Sequence, residues 1–152
     1  MLQILLGVLL ANFHEWWIHK FLLHGLGKKK RSIWHFHWIH HNITRTSEGY
    51  DDTYMGDGYI KERLSLIFIA LVHSPIAFYY PTMAATMGVY LVAYYFMHMR
   101  SHIDPNWARK WAPWHWDHHM GKNQDKNWCI VFPLCDYIFG TREKTFRSEF
   151  YK

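Results

Sequence analysis

Cysteine is scarce: the 152 residues include only Cys129 and Cys135. Their spacing makes no zinc-finger pattern, so a thiolate-held structural zinc is excluded, and both are expected to be reduced thiols in a cytoplasmic environment. Charge is missing from Leu64 to Met99, which contains no Lys, Arg, Asp or Glu. No basic segment precedes Leu2 and no small-residue cleavage site follows the first apolar run. A secretory signal is therefore not expected, and the mature chain is read as beginning at Met1. No repeat of solenoid type is visible.

What is present is apolar and aromatic. Half of the residues are hydrophobic, with nine Trp, ten Tyr and ten Phe, a composition that excludes a disordered chain. The length suits a single domain over residues 1–152. Mean hydropathy is slightly negative only because histidine and the polar-tipped aromatics lower it. A helix needs ~20 residues to cross a bilayer core. Residues 64–99 are long enough for a tight helical hairpin of two short spans. Pro81 marks its turn, and His73, Ser74 and Pro75 mark a kink in the first span. The run from Leu2 to Phe13, continued through Trp17, Ile18, Phe21, Leu22 and Leu23, makes an apolar helix of spanning length over residues 1–25.

The net charge of +5 is unevenly placed. Lys28, Lys29, Lys30 and Arg31 follow the first apolar helix, Lys61 and Arg63 precede the hairpin, and Arg100, Arg109 and Lys110 follow it. A hairpin that enters and returns puts all of these on one side, which the positive-inside rule makes cytoplasmic. With apolar helices on either side, the basic runs suit anionic headgroups and not nucleic acid.

Ten of the thirteen histidines fall into four clusters. His37, His40 and His41 stand at i, i+3, i+4, as do His115, His118 and His119, and His98 and His102 stand at i, i+4. Each set occupies one helix face. His19 and His24 are five apart, which turns them ~140° from each other on an ideal helix, so this pair converges only on a distorted one. His14 would lie ~15 Å from His24 along a straight helix. It is read as a bystander, and His35 and His73 as core or interfacial residues. Neutral imidazole is the commonest metal ligand among side chains, so His19, His24, His37, His40, His41, His98, His102, His115, His118 and His119 are the candidate ligands of a dinuclear site. Glu15, Asp104, Asp117 and Asp136 are candidates for orienting them, Asp117 foremost because it lies inside the last cluster. His14-Glu15 begins a zinc-protease HExxH, but Ile18 occupies the second histidine position and the match fails. Imidazole suits zinc, copper, iron and nickel alike, so ligand type does not choose the metal.

The order of these boxes resembles the fatty acid hydroxylase superfamily of sterol desaturases, fatty acid 2-hydroxylases and carotenoid hydroxylases. His19-Lys20-Phe21-Leu22-Leu23-His24 is similar to the first box, with Lys20 as its basic residue. His37-Trp38-Ile39-His40-His41, His98-Met99-Arg100-Ser101-His102 and His115-Trp116-Asp117-His118-His119 are similar to the rest. Asp136-Tyr137-Ile138-Phe139-Gly140-Thr141 resembles the closing stretch. Trp34-His35-Phe36-His37 looks more like carotenoid hydroxylases, whereas the last two boxes look like the fatty acid and sterol side. The resemblance implies an all-α, membrane-embedded helical bundle with a cytoplasmic, histidine-rich cap. That cap would hold two non-haem iron ions, which zinc could replace in purified material. It also implies an integral membrane enzyme that uses O2 and an external electron donor to hydroxylate or desaturate a C–H bond of a lipid. With no fused cytochrome b5 domain, the donor would be a separate ferredoxin, cytochrome b5 or reductase. The chain has fewer apolar spans than the family's usual four, which leaves open a homo-oligomer that completes the membrane layer. The competing readings are a histidine-rich metal transporter or metal-binding protein, for which only His73 lies well inside the hairpin, and a haem-binding electron carrier.

Overall fold

The computed structural model describes residues 1–55 and 60–145. Every element among them is helical. The apolar N-terminal run forms α1 (Leu2–Trp17), which continues without a break into a π-helix over Ile18–Leu26. The amphipathic α2 (Phe36–Thr46) follows a turn in which the Ser32 hydroxyl accepts from the Trp34 amide. Next come α3 (Ile60–His73), the single turn α4 (Ile76–Tyr79) and the long α5 (Pro81–Ile103). Helices α6 (Pro105–Trp111), α7 (Pro113–Met120) and α8 (Leu134–Ile138) complete the chain.

Proline sets several of these boundaries. Pro81, Pro105 and Pro113 each open a helix, where a missing N–H costs nothing and the fixed φ already suits the helix. The expected kink at His73–Pro75 is in fact the end of α3. The reversal of the hairpin is spread from Ser74 to Tyr80, with α4 inside it.

Helix α1 lies along α5. Gly7 permits the approach, since a Cβ there would stand 3.0 Å from both the Met83 carbonyl and the Thr86 side chain. A buried polar knot fixes the contact. Asn12 donates to the Tyr90 hydroxyl (2.8 Å) and to the Phe132 carbonyl (2.8 Å), and accepts from the Cys135 amide (3.0 Å). Trp16, Trp128 and the two cysteines pack beside it, and both cysteines are free thiols.

Among the described residues no helix is long and apolar enough to cross a membrane. The expected spanning helices over 1–25 and 64–99 are corrected accordingly. At 1.5 Å per residue, the 14 residues of α3 reach only about 21 Å, against a hydrocarbon core of about 30 Å. Helix α5 has 23 residues, but its C-terminal part carries His98, Arg100 and His102. After Trp17 the first helix carries His19, Lys20 and His24.

Gly49 follows α2 with φ of +90°, and its carbonyl accepts from His102 Nδ1 at 3.1 Å. A Cβ there would stand 2.3 Å from the Trp116 ring. Gly49→Ala is therefore expected to destabilise the fold by about 1–3 kcal/mol through overpacking and left-handed backbone strain, read as a lower midpoint in chemical denaturation. An unchanged midpoint would contradict the close approach.

Candidate metal centre

Four helical segments bring the ten clustered histidines together, and all ten are buried. The π-helix resolves the awkward first pair. Hydrogen bonding from i to i+5, as in Gly27 N–H to Leu22 C=O (2.9 Å), widens each turn. Residues five apart then share a face, and the His19 and His24 rings come within 5.2 Å of each other. Helix α2 presents His37 and His41 on one side of its inner face and His40 beside them. Helix α7 divides its histidines in the same way, between His118 and His119.

Two groups result. One nitrogen from each of His19, His24, His37, His41 and His118 lies within 4.8 Å of the others, and the same holds for His40, His98, His102 and His119. His115 falls in neither, but its Nε2 is 3.0 Å from His102 Nε2. The groups adjoin each other, with the His41 and His119 rings stacked at 4.1 Å.

Hydrogen bonding alone cannot account for these contacts. His41 Nε2 has the Nε2 atoms of His24, His37 and His118 within 3.1 Å, and one N–H can serve only one of them. In the second group, His102 Nδ1 faces the Gly49 carbonyl and His40 Nδ1 faces the Asp51 carboxylate (2.8 Å). A carbonyl or carboxylate oxygen can only accept, so both Nδ1 atoms carry the proton and both Nε2 atoms present bare lone pairs. Those lone pairs stand 3.1 Å apart. Two neutral rings in this tautomer cannot make that contact as a hydrogen bond, whereas two lone pairs directed at one shared cation would make it. Two nitrogens each about 2.1 Å from one ion would be separated by roughly 3–3.4 Å. His98 Nε2 and His119 Nε2 are buried with no hydrogen-bond partner, as orphaned ligand atoms would be. The residues present fit two metal ions.

Further contacts hold the rings in this tautomer. His19 Nδ1 donates to the Trp128 carbonyl and His118 Nδ1 to the Lys126 carbonyl, both at 2.6 Å. His98 Nδ1 lies 2.6 Å from Glu62, whose second oxygen accepts from the Tyr54 hydroxyl at 2.6 Å. The orienting carboxylates are thus Asp51 and Glu62, which sequence reasoning missed. The four acids proposed from sequence do other work. Glu15 accepts from the Ile130 and Val131 amides and the Tyr90 hydroxyl. Asp104 caps α6 and pairs with Arg100. Asp117, despite its place in the last cluster, pairs with Arg142 at 2.9 Å. Asp136 accepts from the Trp128 and Cys129 amides, and so acts on the centre only by fixing the strap whose carbonyl receives His19. A run of acids after the second box, Asp51 with Asp52 and then Glu62, was the available signal.

Burial pushes His37, His41, His115 and His119 well below the ordinary imidazole range, and His118 down to about 4. The rings are therefore neutral, the form that binds metal. A folded-state pKa below the unfolded one means that the unfolded chain takes up more protons on acidification. Metal-free protein should hold its stability above about pH 6.5 and lose it progressively as pH falls towards 4, the window set by His118. Urea midpoints at pH 7.5 and pH 5 check this, and equal midpoints would contradict it.

A sequence profile for fatty acid hydroxylase matches residues 4–141. The chain belongs to the fatty acid hydroxylase family. Membership implies an oxidoreductase that depends on metal, and the two histidine groups are where metal could bind. Neither curated proteins nor solved structures yield a match.

The two histidine groups border a cavity. It is walled by apolar side chains of α1, α3 and α5, such as Leu66, Ile69 and Leu91, and reaches His19, His37, His40 and His98. His14 and His73 also line it, away from the two groups, while His35 donates to or accepts nothing in the centre and faces the Gly27 carbonyl at 2.8 Å.

Proposed function

We propose that the chain is a di-iron, O2-dependent lipid oxygenase, with the ten clustered histidines as its metal ligands. The observation that carries this reading is the position of two adjoining imidazole groups at the end of an apolar cavity. A pair of iron ions bound there would supply the activation of dioxygen. Overall, one C–H bond, O2, two electrons and two protons give an alcohol and water, whereas two C–H bonds on adjacent carbons with the same O2, electrons and protons give an alkene and two waters. The electrons come from a separate donor protein.

The protein's own part is holding, orienting and excluding. Neutral imidazoles leave the metal charge uncompensated, and Asp51 and Glu62 place two negative charges behind His40 and His98. Their hydrogen bonds fix ring orientation and strengthen the rings as ligands. The apolar walls hold the lipid chain with one carbon near the centre and keep water away from the oxidant. Membrane placement belongs to the same proposal, with the centre on the cytoplasmic face. Leu5 and Leu9 of α1, Phe68 and Leu71 of α3, and Val89 and Val92 of α5 are exposed. Apolar surface of this extent suits contact with lipid or with a second copy of the chain.

The test is iron-loaded protein supplied with a chemical reductant, a lipid extract and 18O2. Labelled hydroxyl-lipid, or O2-dependent formation of a new alkene, is expected. Protein that holds two irons per chain yet consumes no oxygen with any lipid pool would overturn the proposal.

A further inference from the structure

His14 and His73, which the metal centre does not use, meet at the other end of the cavity with ring centroids 4.7 Å apart. Glu62 and His73 both line the cavity and lie eleven residues apart on α3, so the pair sits roughly 16 Å from the Glu62–His98 contact at 1.5 Å per residue. The walls between are almost wholly apolar. Both rings are half-buried, and His14 presents a buried nitrogen that no protein group satisfies.

Their hydrogen-bonding state narrows what a ligand there would be. His73 Nδ1 lies 2.8 Å from the Ile69 carbonyl and must donate to it, which leaves Nε2 of the neutral ring as an acceptor. His14 Nδ1 is buried with no partner. The pair therefore offers one acceptor and one nitrogen able to donate. A hydroxyl group, which donates once and accepts, satisfies both. A carboxylate only accepts and needs a second donor, but the His73 proton is already committed to Ile69. The cavity lining is mostly apolar, with side chains such as Leu66, Ile69 and Leu91 along it, so the rest of the ligand is aliphatic.

We infer that His14 and His73 form an anchoring site for a hydroxyl group at one end of an aliphatic lipid, with the rest of the molecule lying towards the histidine centre. The inference deepens the lipid-oxygenase proposal, and rests on it for the identity of the ligand as substrate. The binding itself can be measured without turnover.

The probes are 1-dodecanol, dodecane and dodecanoate, added to the full-length, metal-loaded protein, with bound probe counted by native mass spectrometry. Dodecanol is expected to bind about tenfold more tightly than dodecane, as two net hydrogen bonds allow, and more tightly than dodecanoate. His14→Phe and His73→Phe should each remove most of that preference while leaving metal content unchanged. Equal binding of dodecanol and dodecane by the unaltered protein would overturn the anchor, with no variant needing to fold. So would preference for dodecanoate, or a dodecanol preference that survives both substitutions. Dodecanol preference in a protein that oxidises no lipid would leave the anchor standing and remove the oxygenase reading alone.

Discussion

Replacing His118 with Ala is expected to abolish lipid oxidation and to lower metal content from two ions per chain to one. His40→Ala should have the same outcome through the other group. Each side chain belongs to one group only, His118 to the set of five around His41 and His40 to the set of four. Removing His118 takes away a ligand nitrogen whose direction is fixed by the Lys126 carbonyl. Removing His40 also takes a hydrogen bond from the Asp51 carboxylate, which is fully buried. Orienting residues one step back from a metal are worth about 10–100-fold in affinity or activity. Loss of a ligand itself should exceed that range, so activity should fall by more than about 100-fold. Elemental analysis and product formation, measured on the same preparation, decide the matter. His14→Phe and His35→Phe serve as contrasts and should retain both ions. Metal loss in those variants equal to that of His118→Ala would contradict the division between ligands and other histidines.

Glu62→Ala is expected to weaken metal binding in the four-histidine group by about 100-fold, and Glu62→Gln by about tenfold. The graded pair follows from the contacts. Glutamine can keep an oxygen facing the His98 Nδ1 proton but loses the negative charge, whereas alanine loses both and the hydrogen bond from the Tyr54 hydroxyl as well. Asp51→Asn should act in parallel on His40. Competition with a metal chelator reads each affinity. Asp117→Asn is the informative contrast, because its partner is Arg142. That change should lower thermal stability and leave both affinities near their starting values. Metal loss in Asp117→Asn with none in Glu62→Ala would reverse the assignment of orienting acids.

Much of the centre is legible in the sequence because helical spacing is a local property. His37, His40 and His41, and likewise His115, His118 and His119, share a face on any helix, and they do so on α2 and α7. The His19–His24 interval signals its own difficulty on an ideal helix, and the π-helix over Ile18–Leu26 is the distortion it needs. The orienting acids escape for the opposite reason. Glu62 reaches His98 across 36 residues, a contact set by how α3 meets α5 and not by spacing. Proximity in sequence favoured Asp117 and was misleading, because a side chain next to a ligand on a helix points away from it. His14 and His73 are unremarkable one at a time, and acquire meaning only where α1 and α3 bring them together on one cavity. The helical hairpin is legible from the uncharged run and Pro81. Spanning length is not, because hydrophobic runs reveal little about where Ser74 and Pro75 will stop a helix.

Anomalous X-ray scattering from crystals of the iron-loaded protein, collected on both sides of the iron absorption edge, tests the centre most directly. Two peaks are expected, one among His19, His24, His37, His41 and His118 and the other among His40, His98, His102 and His119. A single peak, or none within reach of these nitrogens in a protein that still oxidises lipid, would contradict a dinuclear histidine centre.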